Sequence, residues 1–385
     1  MSDDVLSVIE GYDQALLDKA KLAAKGTDFT ERKGEVAAII GHLHPKRLSL
    51  RVIKVIEETV STKTLRLEAV GGYLPPFQAG QYINLFVNIE GVNTSRPYAI
   101  SSSPFERNYY DVTIRRVIEG FVSNYLLDQV HAGMCLQSTG PMGTFYYNPI
   151  FHGDDLIFLA GGSGIAPAMS IILDIIHQKR PVRFHLIYGS RNMDDIIFHR
   201  ELKQLEAEND FLTVTRVISE PSMNYSGKKG FVSTELISEL VGSLDDKMFY
   251  LCGPSNMYDF CLVELKNSGV PSRKIRVEMN GAPKLPEQLE GWPVGVLSKT
   301  IINVTVRGKG RFSAKVGEPL INSLERNGYF VENACRTGEC SLCRIKVLSG
   351  NVFNAPQARI RFSDRQFGWC HACSAYPVED IEILI

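Results

Sequence analysis

The chain has 385 residues, and its 42 basic and 43 acidic side chains leave a formal net charge of −1. This balance excludes a strongly basic nucleic-acid-binding protein, and a hydrophobic content of 44% excludes a chain too polar to build a core. The length predicts two or three domains, at roughly 150 residues per domain. Eight cysteines are too few for a disulfide scaffold.

The N-terminal segment predicts helices that carry no chemistry. It begins MSDDVLSVIEGYDQ, with acids where a secretory signal needs basic residues, so we expect a cytoplasmic protein. Apolar residues recur every three to four positions over residues 3–25, which predicts an amphipathic helix that Gly26 ends. A second short helix is expected before Gly41. This N-terminal helical extension, residues 1–45, is expected to serve in docking or dimerisation.

The rest of the chain changes pattern twice. Residues 46–148 contain short β-rich runs separated by turn residues, which predicts an antiparallel β-barrel. Over residues 149–280 strand-like and helical runs alternate, which predicts a doubly wound α/β domain with a parallel sheet. Residues 281–299 are rich in Gly and Pro and predict a linker. Residues 300–385 then form a third domain, with a short helix expected at residues 323–330.

One uncharged stretch, residues 156–173, is about as long as a membrane span. Three glycines and a proline interrupt it. A short strand, a glycine loop and an amphipathic helix therefore explain the stretch better than a span does.

Three cysteines near the C-terminus, Cys335, Cys340 and Cys343, have the spacing C-x4-C-x2-C. A fourth, Cys373, follows after 29 intervening residues. This spacing is typical of a plant-type [2Fe–2S] site, in which four thiolates bind two irons. Gly338 would let the loop turn closely, so that backbone N–H groups can reach the sulfurs. A structural zinc site is the alternative, because Cys370 and Cys373 form a C-x2-C pair.

The segments CRTGECSLC and ACSAYP resemble the ligand segments of plant-type ferredoxins, and the resemblance covers residues 301–385. It implies a β-grasp fold, and it implies that Cys373 is the fourth ligand, with the role of Cys370 left open. This segment has 11 Lys and Arg against 8 Asp and Glu, whereas many free ferredoxins are acidic. An electron donor in the same chain makes acidity unnecessary for docking.

A flavin site is indicated by a run that resembles the R-x-Y-S-x-x-S signature of the ferredoxin–NADP⁺ reductase superfamily; it comprises Arg96, Pro97, Tyr98, Ala99, Ser101 and Ser102. The resemblance implies that Arg96 meets a flavin phosphate, which suits its planar fork, and that Tyr98 stacks on the flavin. Ala99 stands where the family often has Ser or Thr near the reactive nitrogen. No hydroxyl at that position can therefore assist hydride transfer.

Two later segments resemble further parts of this flavin site. Gly120 and Ser123 open a predicted helix whose N–H groups can bind an anion, and they resemble the second phosphate segment of the family. That segment favours FAD over FMN, although FMN remains possible. Gly140 and Gly143 resemble the glycine turn that closes the flavin domain.

A nicotinamide nucleotide site is indicated by a strand–loop–helix segment that resembles the superfamily's G-G-x-G-x-x-P, with Gly161, Gly162, Gly164 and Pro167. Such a loop can hold a pyrophosphate on backbone N–H groups and a helix dipole. Ser190 and Arg191 end the next strand, near the expected switch point of the sheet. We expect them to contact the adenosine ribose or a 2′-phosphate. A surface arginine is the alternative, so NADH and NADPH are not distinguished.

The segment Cys252-Gly253-Pro254 resembles the family's C-G-P-x-x-M, in which the Cys faces the nicotinamide. A small buried apolar side chain is the alternative for Cys252. Glu278 is a second candidate catalytic residue in this pocket, and a surface ion pair is its alternative. Hydride transfer itself requires no acid or base, so the catalytic list is short.

Together these resemblances cover residues 46–385. Over this range the chain resembles Hcr-like proteins and the reductase components of oxygenases. They imply an NAD(P)H-dependent reductase in which one hydride delivers two electrons to the flavin, and these electrons leave one at a time through the cluster. The implied acceptor is a redox protein such as an oxygenase, a hybrid-cluster protein, a corrinoid protein or a ferredoxin. Two alternatives remain. One is an electron-transfer subunit without productive NAD(P)H turnover, and the other is a redox sensor whose N-terminal helices bind a partner.

Overall fold

The computed structural model describes residues 10–25, 33–43, 45–279 and 281–385. Two helices, α1 (Tyr12–Ala24) and α2 (Lys33–Leu43), lie in the N-terminal part, and Arg47–Ile385 form one compact unit. The predicted start of the first helix and its predicted end at Gly26 lie outside the described residues. The second helix continues through Gly41, past its predicted end, because one internal glycine costs a helix only about 1 kcal/mol.

The first domain of the compact unit is the predicted antiparallel barrel. Its strands are β1 (Leu48–Thr59), β2 (Thr62–Ala69), β3 (Tyr82–Ile89), β4 (Val92–Ala99), β5 (Tyr110–Arg115) and β6 (Cys135–Ser138), in the order β4-β3-β6-β1-β2-β5. Leu50 and Val52 point into the core while Arg51 faces solvent, as the period of two in a strand requires. A bridge between Ile100 and Val112 joins the edge strands and closes the sheet. Helix α3 (Phe121–Asp128) precedes β6.

The second domain is the predicted doubly wound parallel sheet. Its elements are β7 (Asp155–Gly161), α4 (Ile165–Gln178), β8 (Arg183–Ser190), α5 (His199–Glu208), β9 (Leu212–Ile218), β10 (Lys228–Lys229), α6 (Thr234–Val241), β11 (Met248–Cys252), α7 (Ser255–Asn267) and β12 (Ile275–Glu278). The strand order is β10-β9-β8-β7-β11-β12, so the switch point lies between β7 and β11 rather than at β8. Ligands of such sheets bind at the carboxyl ends of the strands beside that point.

The uncharged stretch 156–173 forms the buried strand β7, the glycine loop and the first part of α4. In the described residues, no helix has the length and the apolar character that crossing a membrane would require.

The third domain is a mixed sheet in the order β14-β13-β19-β15-β17, with a separate β16–β18 pair. Its elements are β13 (Ile301–Val306), β14 (Gly310–Lys315), α8 (Leu320–Arg326), β15 (Arg344–Ser349), β16 (Val352–Asn354), α9 (Phe362–Gln366), β17 (Trp369–His371), β18 (Ala375–Pro377) and β19 (Ile381–Leu384). Helix α8 starts three residues before the predicted position and ends before Gly328, whose positive φ of 78° terminates it. The three predicted fold classes are thus confirmed.

The segment 281–299, predicted as a linker, packs against this third domain. The Trp292 ring lies 5.1 Å from the Phe353 ring, and the Tyr376 hydroxyl donates to the Pro283 carbonyl oxygen at 2.6 Å. Its only regular element is a short 3₁₀ turn, Pro286–Gln288. The segment therefore follows the domain surface as an ordered strap.

Candidate redox sites

The four predicted cluster cysteines converge at one end of the third domain. Cys335, Cys340 and Cys343 lie in the loop between α8 and β15, and Cys373 lies between β17 and β18. The Cys335 thiol is close enough to those of Cys340 and Cys373 to shift their titration, and Cys343 and Cys373 are coupled in the same way. All are buried except Cys340, which is half-buried. Four convergent thiols are the donor set that a [2Fe–2S] cluster needs.

The backbone of this cysteine loop turns its N–H groups towards sulfur. The N–H groups of Thr337 and Cys340 both donate to the Cys335 sulfur, each at 3.4 Å. Arg336 and Ser341 have positive φ values of 55° and 60°, which curl the loop into an anion-binding concavity. The neighbouring Cys340 thiol, followed by that of Cys373, lowers the pKa of Cys335 well below its ordinary value. The same hydrogen bonds raise the pKa of Cys340 and that of Cys373 above their ordinary values, so the coupling places negative charge first on the Cys335 sulfur.

Gly338 occupies the tightest point of the cysteine loop. Its φ is 90°, and a Cβ atom there would lie 2.5 Å from the Ser374 hydroxyl oxygen and 2.9 Å from the Ala358 Cβ. Its carbonyl oxygen is also 2.7 Å from Nδ1 of the buried His371. The close turn expected at this glycine is therefore present, and a larger residue would displace the loop.

Cys370 does not join the converging thiols. It lies in β17 opposite Ile345, within the apolar core of the third domain. Burial raises the pKa of its thiol to about 12, so it stays protonated. Its surroundings are those of a small apolar core residue.

The predicted flavin segment ends strand β4 at the mouth of the barrel. Arg96 is half-buried and donates to the Thr94 hydroxyl at 2.9 Å and to the Ser95 carbonyl oxygen at 2.6 Å. Burial, followed by the positive charge of Arg336, lowers the pKa of Arg96 to about 10. No carboxylate among the described residues forms an ion pair with it. A desolvated cation of this kind favours an added anion such as a phosphate.

The other residues of this segment divide into two groups. Tyr98 is half-buried against the barrel core, and Pro97 and Ala99 are half-buried beside it. The Ser101 hydroxyl lies 3.1 Å from that of Thr113, and the Ser102 hydroxyl accepts from the Asp111 N–H at 3.2 Å. Both serine hydroxyls are therefore held by the barrel itself, which the motif could not reveal.

The second phosphate segment forms the N-terminus of α3. Gly120 precedes the helix, and no side chain caps this end. The Ser123 hydroxyl accepts from the Val117 N–H at 3.3 Å. The first N–H groups of α3 consequently lack a side-chain acceptor and can receive an anion. In the Gly140–Gly143 turn, a Cβ at Gly143 would lie 3.0 Å from the Tyr82 ring.

The predicted nucleotide loop lies at the switch point of the parallel sheet. A Cβ at Gly161 would lie 2.4 Å from the Met257 sulfur, and one at Gly164 would lie 2.0 Å from the Cys252 carbonyl oxygen. The loop therefore packs directly on the Cys252-Gly253-Pro254 segment, where Pro254 precedes α7. Pro167 is buried in the first turn of α4, which tolerates proline. The two predicted segments are thus brought together.

A cation that the motifs did not indicate also reaches this loop. A Cβ at Gly162 would lie 2.5 Å from an Arg115 guanidinium nitrogen. Arg115, at the end of β5 in the barrel, forms an ion pair with Asp195 of the second domain. Arg191 is exposed, with its Nε atom 3.9 Å from Asp195, and Ser190 is buried. Arg115 reaches this loop because the barrel packs on the second domain, a contact that no local sequence motif indicates.

Cys252 and Glu278 lie side by side at the carboxyl ends of β11 and β12, where they are paired in register. Cys252 is buried and Glu278 is half-buried. Burial raises the pKa of Glu278 to about 8, with further contributions from Glu339 and Cys335 of the cysteine loop. The alternative of a surface ion pair is not realised within the described ranges, where no cation pairs with Glu278.

The cysteine loop packs on the flavin barrel. Tyr82 of β3 and Met142 contact Ala334 and Cys335 in one apolar cluster. This contact joins the loop to the strand that pairs with the Arg96-to-Ala99 strand.

Buried hydrogen bonds extend the same contact. Asn84 donates to the Asn333 carbonyl oxygen at 2.9 Å, and the Ser95 hydroxyl donates to the Asn333 side-chain oxygen at 2.8 Å. Arg336 forms a buried ion pair with Glu325 and donates to the Thr94 hydroxyl at 3.2 Å. The cysteine loop thus contacts β3 and β4 of the flavin barrel and lies near Glu278 at the end of β12.

Three family descriptions match successive parts of the chain. Residues 48–147 match the oxidoreductase FAD-binding domain, residues 158–262 the oxidoreductase NAD-binding domain, and residues 304–378 the 2Fe-2S iron-sulfur cluster binding domain. The last match favours the iron–sulfur interpretation of the cysteines over the zinc alternative.

Similar proteins match this chain over nearly their whole length. The chain is 28% identical over 348 residues to the glycine betaine monooxygenase reductase subunit of Pseudomonas aeruginosa, covering 87% of this chain and 94% of that protein. It is 28% identical over 340 residues to NADH oxidoreductase HCR of Escherichia coli, covering 86% and 96%. The structure of phthalate dioxygenase reductase has the same fold, with a TM-score of 0.64, 20% identity and coverage of 88% and 97%. The chain is therefore an oxidoreductase with an FAD-binding domain, an NAD-binding domain and a C-terminal 2Fe-2S domain in that order, and it has the fold of phthalate dioxygenase reductase.

Proposed function

We propose that this chain is the reductase component of an oxygenase system and delivers single electrons from NAD(P)H to an oxygenase protein. Similar proteins are named as monooxygenase reductase components, in glycine betaine and in 3-ketosteroid systems. When bound, FAD would accept one hydride, which carries two electrons, from the nicotinamide, and the [2Fe–2S] cluster would carry those electrons one at a time. The rest of the proposal concerns what the side chains of this protein do.

One observation carries the proposal. The cysteine loop is buried against β3 of the flavin barrel, where Tyr82 contacts Cys335. It also lies beside Glu278 at the end of the nucleotide sheet. The entry and exit sites of the electrons therefore share one buried junction, which suits transfer within a single chain.

We assign the flavin and nucleotide contacts from charge and backbone geometry. Arg96 binds a flavin phosphate, because its half-buried guanidinium has no carboxylate partner among the described residues. The N-terminus of α3 binds the second phosphate of FAD. The glycine loop after β7 holds the pyrophosphate of the nicotinamide nucleotide, with Arg115 adding positive charge at Gly162.

Cys252 and Glu278 line the nicotinamide position at the carboxyl ends of β11 and β12. Glu278 orients the ring as a neutral hydrogen-bonding group, which its raised pKa of about 8 permits near neutral pH. The four converging cysteines hold the irons.

We place the protein in the cytoplasm. All eight cysteines are free of disulfide bonds, and four of them are assigned as thiolate ligands. Reduced thiols of this kind persist where the compartment is reducing.

The experiment compares Cys373→Ser with Cys135→Ser, an exposed cysteine in β6 that serves as the matched control. Each purified holoprotein is mixed anaerobically with NADH or NADPH while flavin and cluster absorbance are recorded, and cytochrome c is then added as a one-electron acceptor. Cys373→Ser should keep flavin bleaching but lose cluster absorbance and reduce cytochrome c at least tenfold more slowly. Cys135→Ser should match the wild type.

Two results would contradict the proposal. If neither nucleotide bleached the flavin of the wild type, the chain would be an electron-transfer subunit without NAD(P)H turnover. If Cys373→Ser reduced cytochrome c at the rate of the wild type, the electrons would not leave through the cluster.

A further inference from the structure

A segment of the third domain covers the outer side of the cysteine loop. Residues 359–367 lie in the connection between β16 and β17 and include α9. The Arg359 N–H donates to the Gly338 carbonyl oxygen at 3.0 Å, and its guanidinium pairs with Glu339 at 3.0 Å. Asp364 pairs with Arg344 at 3.1 Å, which ties α9 to β15. The segment is therefore held against Gly338 and Glu339 of the cysteine loop and against β15.

This surface exposes large apolar side chains. Phe362, the first residue of α9, is 77% exposed, and Phe367, which follows its last residue, is 67% exposed. Leu342, between the cluster cysteines Cys340 and Cys343, is 43% exposed. Aromatic side chains left in water beside a redox site are typical anchors of a protein interface.

The same surface is strongly basic. It carries five cations, Arg344, Lys346, Arg359, Arg361 and Arg365, against two acids, Glu339 and Asp364. Both acids are already paired with arginines. Arg361 and Arg365 are exposed, and no carboxylate in the described part of the chain lies within ion-pair distance of either. We name this surface the cluster face, defined by residues 342, 344, 346, 359, 361, 362, 365 and 367.

We propose that the cluster face is the docking surface for the electron acceptor, and that the acceptor presents an acidic rim around an apolar depression. This inference rests on the proposed function, because it names the exit surface of the same site. Charge complementarity argues for an acidic protein, since unpaired guanidinium groups attract carboxylates and steer their approach. A second copy of the chain docking through this face would bring like charges together. In the transfer, one electron passes to the acceptor, which is reduced while the [2Fe–2S] site is oxidised, and no bond or proton changes place.

The test uses two forms of one acceptor. Native cytochrome c has a lysine-rich haem edge, and succinylated cytochrome c carries carboxylates at those lysines. The holoprotein reduces each form with NADH under anaerobic conditions, at low salt and at 0.5 M salt. For the wild type we expect kcat/KM at low salt to be at least tenfold higher with the succinylated form. That preference should shrink at 0.5 M salt, where the Debye length falls to a few ångströms.

Two variants and a control test the surface itself. Arg361→Glu/Arg365→Glu should reverse the preference, so that native cytochrome c becomes the better substrate. Phe362→Ala/Phe367→Ala should lower kcat/KM for both forms severalfold at either salt concentration, because it removes apolar contacts rather than charge. Lys309→Glu/Lys315→Glu changes two exposed cations of the β13–β14 hairpin and should leave the preference unchanged. Flavin and cluster absorbance per chain verify that each variant is folded.

The outcomes separate the two proposals. If the wild type reduces both forms equally well, or if the arginine variant keeps the wild-type preference, the cluster face is not the docking surface. If the wild type reduces neither form although NADH bleaches its flavin, the proposed exit through the cluster fails instead.

Discussion

Replacing Glu325 by alanine would leave a positive charge buried in the junction between the flavin and cluster domains. Glu325 lies on α8 and pairs with Arg336 of the cysteine loop, and the side chains are only 4% and 6% exposed. Its other carboxylate oxygen accepts from the Thr94 hydroxyl of β4 at 2.9 Å. The substitution therefore removes the only anion that this buried guanidinium contacts within the described residues.

The magnitude follows from that burial. Removing one member of a buried ion pair costs about 3–5 kcal/mol, because the other charge stays desolvated. Thr94→Val removes only a hydroxyl from the same network and should cost about 1 kcal/mol. Glu382→Ala breaks an exposed pair with Arg307 in the same domain and should change stability far less, because water and salt screen exposed charges.

The assay is urea unfolding of the holoprotein, followed by the visible circular dichroism of the cluster. We expect the Glu325→Ala variant to lose its cluster signal at a much lower urea concentration than the wild type. The double variant Glu325→Leu/Arg336→Met removes both charges together and should recover most of the difference. If Glu325→Ala were no less stable than Glu382→Ala, the junction would not depend on this ion pair.

Four further predictions concern separate sites. Gly164→Ala places a Cβ 2.0 Å from a carbonyl oxygen and should raise the KM for NADH at least tenfold, whereas Gly189→Ala meets nothing closer than 3.6 Å and should change it less than twofold. Arg191→Ala should raise the KM for NADPH about tenfold more than that for NADH in steady-state assays, and equal effects would remove Arg191 from the nucleotide site. Cys370→Ser should keep full iron content by elemental analysis while lowering the urea midpoint, and loss of iron would make Cys370 a ligand. Burial lowers the pKa of His152 from 6.5 to about 4, so between these pH values only the unfolded chain binds a proton at this histidine. The free energy of unfolding should therefore decrease as the pH falls from 6.5 towards 4. His152→Gln should make this pH dependence weaker, and an unchanged pH dependence would contradict the assignment.

The elements that sequence reasoning predicted well are those with a local signal. The alternation of Leu48, Leu50 and Val52 with polar residues sufficed for β1, and the C-x4-C-x2-C spacing sufficed for the cysteine loop. In both cases the pattern and the structure are set by neighbours in the chain. The close approach at Gly338 was expected for the same reason.

The contacts between domains had no such signal. Arg115 and Asp195 are 80 residues apart, and Glu325 and Thr94 are 231 residues apart. Each of these side chains is ordinary in its own segment, and only the packed fold gives it a partner. The hydroxyls of Ser101 and Ser102 show the same limit, because the motif could not reveal that the barrel holds them.

The strap formed by residues 281–299 has a consequence for how the protein turns over. Trp292 and Tyr376 anchor it to the third domain, and the cysteine loop is in turn buried against β3. Because the strap and the cysteine loop are both held in place, the third domain needs no swinging motion between receiving an electron and releasing it. The motions that remain in the catalytic cycle are the binding and release of the nucleotide and of the external acceptor. Higher solvent viscosity should therefore slow these diffusional steps without slowing electron transfer between the flavin site and the cluster site.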